Sequence, residues 1–216
     1  MRFFFDLFSG VGGIRLALEN LDWSCVGFCE IDPKTVATYR HNFNTEHNFF
    51  WADATTINPQ NIPDFNFLVA GFPCQAWSLA GHREGFADSR GTLFFEICRI
   101  LEAKQPSVFL LENVKGLVCE PFASKEFPQM IKMLHGFGYR VSWRVLNAKH
   151  FGVPQNRERV FIVGFRDGGL ELGREFVWPI PIPLKLKLKD ILESNPDLKY
   201  NLSDRMVETL LAHKAR

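Results

Sequence analysis

The sequence predicts an α/β fold in which helices cover both faces of a central, mostly parallel sheet. Short apolar runs of strand length alternate with segments of helical periodicity along the chain, and this alternation is typical of parallel sheets covered on both sides. The 216 residues suit one large α/β domain or one domain with a short appendage. With 46% hydrophobic residues and 22 phenylalanines, the chain can bury a sizeable core.

The first part of the chain alternates strands with helices. Each strand is a short apolar run, and each helix follows it after a turn. In chain order we expect strand Phe3–Leu7, helix Ile14–Asn20, strand Cys25–Glu30, helix Pro33–Asn42 and strand Phe49–Ala52.

The second part repeats this rhythm and ends in two consecutive strands. The helix after the fourth strand has one apolar side formed by Leu93, Ile97, Ile100 and Leu101, and glycines end the next helix. In chain order we expect strand Phe67–Ala70, helix Thr92–Ala103, strand Val108–Leu111 ending at Glu112, helix Phe127–Phe137, and strands Arg140–Leu146 and Val160–Phe165.

The character of the sequence changes after Gly168-Gly169, so we place a boundary there, with residues 1–169 as the main domain and residues 170–216 as an appendage. Prolines should keep Trp178–Pro183 extended, and the alternation of leucine with lysine in Leu184–Lys189 predicts an exposed strand. A last helix should begin after Ser203 as its N-cap.

Composition limits the classes of function. The 25 basic and 24 acidic residues nearly cancel, which argues against a strong positive field over the whole surface. The five cysteines form no CxxC pair and the six histidines show no ligand spacing, so neither a disulfide framework nor a metal site is predicted. No signal peptide or long apolar span is evident, and we expect a soluble, cytoplasmic protein.

A glycine-rich turn follows the first strand, at Asp6-Leu7-Phe8-Ser9-Gly10-Val11-Gly12-Gly13. Its GxGG pattern differs from the dinucleotide and phosphate-loop patterns. Glu30 ends the second strand twenty residues after Gly10, where a carboxylate can accept hydrogen bonds from both hydroxyls of a ribose. The combination favours a nucleoside cofactor without a diphosphate.

Asp53 ends the third strand and could accept a hydrogen bond from an adenine amino group, while Phe8 and Ile31 could cover the ring faces. The alternative is that Asp53 caps a turn before Thr55 and that the glycines only permit tight packing. Acceptors at successive strand ends favour the ligand site.

Cys74 lies in the pentapeptide Gly71-Phe72-Pro73-Cys74-Gln75, immediately after a buried strand. In an open α/β sheet such a position belongs to the edge where ligands bind, so this thiol is a candidate nucleophile. The other cysteines, at positions 25, 29, 98 and 119, lie among apolar residues and are predicted to be inert core thiols.

In four segments the chain resembles the DNA (cytosine-5) methyltransferases, which use S-adenosylmethionine. These are the glycine turn, the Cys74 pentapeptide, Glu112-Asn113-Val114, and Gln155-Asn156-Arg157-Glu158-Arg159. The resemblance covers about residues 1–169 and implies a Rossmann-like methyltransferase fold. It also implies cofactor contacts at matching positions, which are Phe8, Gly10, Gly13, Glu30, Ile31, Asp53, Pro73 and Leu93.

The resemblance also implies a mechanism. Cys74 would attack C6 of a cytosine, Glu112 would contact the ring N3 and amino group, and C5 would then take the methyl group. Arg159 would donate to the cytosine O2, and Arg157 would lie near the phosphate of the target and the nucleophile. Alternatively, Glu112 caps a turn and the two arginines form a surface charge run.

A cytosine inside a duplex cannot present C6 to a thiol, so the resemblance implies that the base is flipped out of double-stranded DNA. The segment from Gln75 to Gly91 resembles the loop that closes on the DNA. The implied contacts to the substrate DNA are Gln75, Ser78, Arg90 and Asn113.

Members of this family continue with a target-recognition region, of which only the beginning has a counterpart here. We therefore expect the chain alone to bind DNA weakly, to transfer methyl groups slowly, and to leave an apolar patch beside the first strand. A second chain or a further segment would supply target recognition.

Three alternatives stay open: a methyltransferase for cytosine in transfer RNA, a cofactor-binding subunit of a split enzyme, and, on weaker grounds, a cysteine hydrolase.

Overall fold

The computed structural model describes residues 2–73, 93–166 and 176–214. Within these ranges seven strands form one sheet in the order β3-β2-β1-β4-β5-β7-β6. The strands are β1 (Phe3–Leu7), β2 (Ser24–Cys29), β3 (Phe49–Trp51), β4 (Phe67–Gly71), β5 (Val108–Val114), β6 (Tyr139–Asn147) and β7 (Glu158–Arg166).

The sheet is parallel from β3 to β5, and β7 runs antiparallel to both of its neighbours. The strand order reverses at β1, which lies between β2 and β4. In sheets of this kind the carboxyl ends of the two strands at the reversal border the crevice in which ligands bind. The turns after β1 and β4 therefore meet at the edge where a site is expected.

Helices pack on both faces of the sheet, as the sequence predicts. The alternation of side chains along β1 sends Phe4 to a small cluster with Leu18 of α1, and Phe5 to the main core with α3 and α4. The described helices are α1 (Gly13–Glu19), α2 (Pro33–Asn42), α3 (Leu93–Lys104), α4 (Glu126–Gly136) and α5 (Asp204–Lys214). None of them has the length and apolar character that a membrane-spanning helix needs.

Strand β5 is longer than the sequence predicts. The apolar run Val108–Leu111 predicts a strand that ends at Glu112, but the strand continues to Val114, so that Glu112 lies inside it. The continuation pairs Asn113 with Val160 and Val114 with Arg159 on β7. A partner strand about fifty residues away supplies the hydrogen bonds that hold these polar residues in extended conformation.

The first part of the described tail contacts the main domain. Trp178 donates a hydrogen bond from Nε1 to the Ser142 hydroxyl on β6 at 2.9 Å, and the Ile182 backbone N–H donates to the carbonyl of His150, in the turn after β6, at 2.8 Å. The predicted strand at Leu184–Lys189 is wrong, because these exposed residues pair with none of the described strands and a short 3₁₀ turn begins at Leu188. Helix α5 begins directly after Ser203, as predicted.

Candidate active site at the carboxyl edge of the sheet

The glycine turn after β1 is fixed to the end of β2 by its own backbone. Ser9 donates its N–H to the carbonyl of Cys29 at 2.9 Å, and Gly10 donates to Oε2 of Glu30 at 3.0 Å. Phe8 and Gly10 both adopt a φ of 55°. This left-handed conformation turns the chain sharply and aims the Gly10 N–H at the acidic side chain.

Two glycines of this turn are needed for different reasons. A methyl group at Gly10 would meet no atom within 4 Å, whereas one at Gly12 would overlap the ring of Phe43. Gly12, with a φ of 90°, therefore allows the end of α2 to pack closely against the turn. The open space above Gly10 is available to a ligand.

Glu30 is held between two backbone donors. Its Oε2 accepts from Gly10 and its Oε1 accepts from Asp32 at 2.9 Å. An ionised carboxylate has about four lone-pair directions, so roughly two stay available after these bonds. Fixed in this way, Glu30 can accept from two adjacent hydroxyls.

Asp53 has the turn-capping contacts of the alternative interpretation and also borders the cavity. Its Oδ1 accepts from the backbone and the hydroxyl of Thr55 at 2.9 and 2.8 Å, which caps a short 3₁₀ turn. The same residue lies in the cavity wall. The capping contacts fix the carboxylate and do not remove it from the site.

A cavity of about 220 Å³ lies at the strand-order reversal. All the positions implied for the cofactor line it except Gly13, which is the first residue of α1. The lining residues are Phe8, Gly10, Cys29, Glu30, Ile31, Ala52, Asp53, Ala54, Gly71, Pro73 and Leu93. Apolar walls with two carboxylates fit a nucleoside with a ribose diol and an amino-substituted base.

Glu112 forms a second acidic group, next to the cavity but on β5. It is opposite Gly71 in the β4–β5 ladder, and a methyl group at Gly71 would lie 3.8 Å from its Oε2. Its Oε1 lies 3.0 Å from Nε of Arg159 and 3.7 Å from Nη2 of Arg157. Burial raises the pKa of Glu112 above its ordinary value, and the two guanidinium groups oppose this rise.

The site that contains Glu112, Arg157 and Arg159 is open to solvent. Side-chain exposure is 22% for Glu112, 24% for Arg159 and 49% for Arg157. A raised pKa makes the protonated form of a carboxyl group more available as a proton donor, and exposed guanidinium groups can donate hydrogen bonds to a ligand. We call these three residues the Glu112 cluster.

Asn113 is buried and bonded within the protein. It is 1% exposed, and its Nδ2 donates to the carbonyl of Phe72 at 3.2 Å. The ladder between β4 and β5 ends at Gly71, so this side chain supplies the next link between the two segments. The predicted contact of Asn113 with DNA stays a prediction.

The predicted nucleophile Cys74 and the predicted DNA contacts Gln75, Ser78 and Arg90 lie outside the described residues. The described chain reaches Pro73, which lines the cavity. The other cysteines, at positions 25, 29, 98 and 119, are buried or half-buried thiols. Burial raises the pKa of the first three to about 12, so they stay protonated and unreactive at neutral pH.

A buried polar network beneath the glycine turn was not predicted. Arg15 is 3% exposed and donates from Nη1 to the Tyr39 hydroxyl at 3.3 Å and to Asn48 Oδ1 at 2.9 Å, and its Nε pairs with Glu19 at 2.7 Å. Tyr39 donates to Oδ2 of Asp6 at 3.0 Å. We call these five residues the Arg15 cluster; the only sequence signal was a charged residue between the apolar Ile14 and Leu18 of α1.

Comparison with protein families gives a match along almost the whole chain. The family described as C-5 cytosine-specific DNA methylase matches residues 2–216. The chain is 45% identical over 212 residues to the Type II methyltransferase M.NlaX of Neisseria lactamica, which covers 97% of this chain and 66% of that protein. It is 42% identical over 205 residues to M.DsaV, a Type II methyltransferase of Dactylococcopsis salina, which covers 95% and 57%.

The fold has close counterparts among solved structures. A mutant of DNMT2 from Spodoptera frugiperda superposes with a TM-score of 0.77 at 23% identity, over 98% of this chain and 65% of that one. At this identity the likeness establishes the fold, which is that of the Rossmann-like methyltransferases. The chain spans about half to two thirds of the length of the curated relatives it matches.

Proposed function

The chain belongs to the C-5 cytosine-specific DNA methylases, and from this we propose that it carries the catalytic and cofactor-binding part of a DNA cytosine-5 methyltransferase. The single observation that supports this best is the meeting of two sites at the end of β4. Gly71 lines the nucleoside-sized cavity and also lies opposite Glu112. A methyl donor and a target base bound at these two places would be neighbours.

We propose S-adenosylmethionine as the cofactor that binds in the cavity, and the lining residues support this assignment. Glu30 would accept from the ribose hydroxyls, Asp53 from the adenine amino group, and Phe8 and Ile31 would cover the base. The space above Gly10 admits close approach of the ligand to the backbone. When bound, this group supplies a methyl carbon activated by a sulfonium.

The residues of the Glu112 cluster would act on the cytosine. Addition of the Cys74 thiolate to C6 pushes the ring electrons toward N3, and a proton held by Glu112 would neutralise the charge that develops there. Donors from Arg159, and from Arg157 nearby, would stabilise charge on O2. Once C5 had taken the methyl group, with the electrons of the broken carbon–sulfur bond left on the sulfur of the donor, water would take the C5 proton. The C5–C6 double bond would then re-form and expel the Cys74 thiolate, and N3 would return its proton to Glu112.

Duplex DNA, with the target base flipped out, is the proposed substrate, and a further segment or a second chain is the proposed source of sequence recognition. Residues 1–169 would form the catalytic domain, and residues 170–216 would lead toward target recognition. We place the protein in the cytoplasm, associated with the nucleoid when it is bound to DNA.

Calorimetry with S-adenosylmethionine tests the cofactor assignment. We expect one binding site in the wild type and at least about a tenfold loss of affinity in Glu30→Ala, because the ribose loses its charged acceptor. Glu46→Ala is the matched control, since Glu46 is an exposed acidic residue outside the cavity lining. Equal affinities in the two variants would exclude Glu30 from the site.

A labelled-methyl assay that compares duplex DNA with transfer RNA tests the substrate. We expect label in the DNA, with and without a supplied recognition segment, and faster transfer when that segment is present. Label in the transfer RNA alone would favour the RNA methyltransferase. Cofactor binding without methyl transfer to the DNA or to the transfer RNA would favour the subunit of a split enzyme.

A further inference from the structure

Asn147 lies at the point where the chain leaves β6 and begins the turn toward β7. It is the last residue of β6, opposite Glu158 in the β6–β7 ladder, and it is 7% exposed. The turn that follows leads to Arg157, immediately before β7, and to Arg159, within β7. A buried amide at this position sets the geometry of both ends of the turn.

The side chain of Asn147 makes three hydrogen bonds, all within the turn. Its Oδ1 accepts from the backbone N–H groups of Lys149 and Arg157, both at 3.2 Å, and its Nδ2 donates to Oδ1 of Asn156 at 2.8 Å. The Ala148 N–H donates to the carbonyl of Arg157 at 3.0 Å. Arg157 is thus held at both its N–H and its carbonyl, immediately before β7 begins.

The Arg157 side chain has a much weaker attachment. It is 49% exposed, and among the described residues its charged partner is Glu112, at a distance of 3.7 Å. An exposed ion pair at that distance cannot fix a long, flexible side chain. Its placement therefore depends on the backbone from which it projects. The Asn147 side chain holds that backbone together with the Gln155 carbonyl, which accepts from the same Arg157 N–H at 3.1 Å.

We propose that Asn147 is a positioning residue that fixes Arg157 against Glu112. A backbone shift of about 1 Å at Arg157 would remove the guanidinium from Glu112, and misplacements of this size carry large penalties at catalytic sites. The inference rests on the proposed function only for the catalytic use of Glu112. The placement itself can be measured without DNA or cofactor.

The test follows the titration of Glu112 by NMR of carbon-13-labelled side-chain carboxyl groups. In Asn147→Leu, which keeps the branched shape of the side chain and removes all three hydrogen bonds, we expect the pKa of Glu112 to rise because a positive charge has moved away. Arg157→Gln should raise it at least as far. In the double variant, Asn147→Leu should add almost nothing, because its effect passes through Arg157.

Asn58→Leu is the matched control. Asn58 also caps a 3₁₀ turn, through a bond to the Gln60 N–H at 3.1 Å, on a different part of the chain. We expect this variant to lose stability and to leave the titration of Glu112 unchanged. Because Asn147 is buried, Asn156→Ala serves as a second variant at an exposed position and should shift the titration in the same direction, but less.

Two results would overturn the proposal. One is a Glu112 titration that stays at the wild-type midpoint in Asn147→Leu and Asn156→Ala while Arg157→Gln moves it. The other is an equal shift from Asn147→Leu with and without Arg157. A methyltransferase assay on the same variants then separates the two claims: a shifted titration in a protein that methylates nothing keeps the positioning role and removes the proposed function.

Discussion

The Arg15 cluster and the Glu112 cluster are built from the same chemistry, a carboxylate beside a guanidinium, yet they have opposite surroundings. Arg15 is 3% exposed and its donors bond to Glu19, Tyr39 and Asn48. Arg157, in contrast, is 49% exposed and reaches Glu112 only at 3.7 Å. We call the first cluster closed because its guanidinium is buried, although Glu19 at its edge is 36% exposed, and the second open because Arg157 is half exposed.

The surroundings of the guanidinium donors distinguish a structural polar network from a reactive one. In the closed cluster every strong donor has a partner, so a ligand would have to break a bond before binding. In the open cluster the guanidinium groups keep donors that face solvent beside a carboxyl of raised pKa. We infer that the Arg15 cluster stabilises the fold and that the Glu112 cluster performs chemistry.

The largest effect on stability should come from opening the closed cluster. Arg15→Met keeps much of the side-chain volume and leaves Tyr39, Asn48 and Glu19 without their partner, so we expect a loss of about 3–5 kcal/mol in the free energy of unfolding. Urea denaturation measures it. Arg205→Met, at an exposed position, is the control and should change stability by less than about 0.5 kcal/mol. Similar losses of stability in the two variants would mean that the Arg15 cluster does not stabilise the fold.

In the open cluster we expect a large effect on the rate of methyl transfer and a small effect on stability. Glu112→Gln is expected to lower the rate of methyl transfer by a factor of about 10²–10⁴, because the amide cannot supply a proton to the ring. Its unfolding free energy should change by less than about 1 kcal/mol, since the paired arginines are partly exposed. Single-turnover assays and urea melts give both values, and a fully active variant would remove Glu112 from the chemistry.

Asp6 gives the closed cluster a dependence on pH. Burial raises its pKa from 3.8 to about 7, so the folded protein holds this proton more tightly than the unfolded chain does. Stability should therefore be greatest below about pH 4 as far as this group is concerned, and should fall as the pH rises to about 7.

Asp6→Asn separates this contribution from the rest. The amide can still accept from Tyr39 but carries no charge, so the variant should be more stable than the wild type at pH 8 by about 2 kcal/mol, and the difference should shrink toward pH 5. Urea denaturation across this range measures it. A difference that does not vary with pH would mean that Asp6 is not the titrating group.

Much of the cavity proposed for the cofactor could be predicted from the sequence, because its residues follow apolar strands at recognisable spacings. Glu30 and Asp53 come directly after short apolar runs, and parallel strands bring their carboxyl ends to one edge. The lining of the cavity agrees with that expectation at every implied position except Gly13. The roles of these residues stay predictions.

The closed cluster and the course of β5 could not be predicted, because both depend on contacts that are distant in sequence. Arg15 meets Tyr39 and Asn48, which are 24 and 33 residues away. Asn113 looks like an exposed polar residue in its motif, but the pairing of β5 with β7 buries it. Local pattern gives no information about such partners.

The smallest predicted effect concerns Gly10, in the glycine turn after β1. Gly10→Ala places a methyl group in the open space, at a φ of 55°, so we expect a loss of about 1 kcal/mol in stability from backbone strain. Affinity for S-adenosylmethionine should fall by about tenfold. Gly136→Ala, in a helix with open space around it, should leave both quantities nearly unchanged; equal affinities would mean that the ligand does not approach Gly10.

The covalent role proposed for Cys74 is tested by trapping the intermediate. Duplex DNA containing 5-fluorocytosine is mixed with S-adenosylmethionine and the chain, with the remaining segment of M.NlaX of Neisseria lactamica supplied. Because fluorine cannot leave C5 as the proton does, we expect a stable protein–DNA adduct in the wild type and in Cys119→Ala, and none in Cys74→Ala. An adduct that survives in Cys74→Ala would mean that another residue is the nucleophile and that the proposed function assigns the chemistry to the wrong thiol.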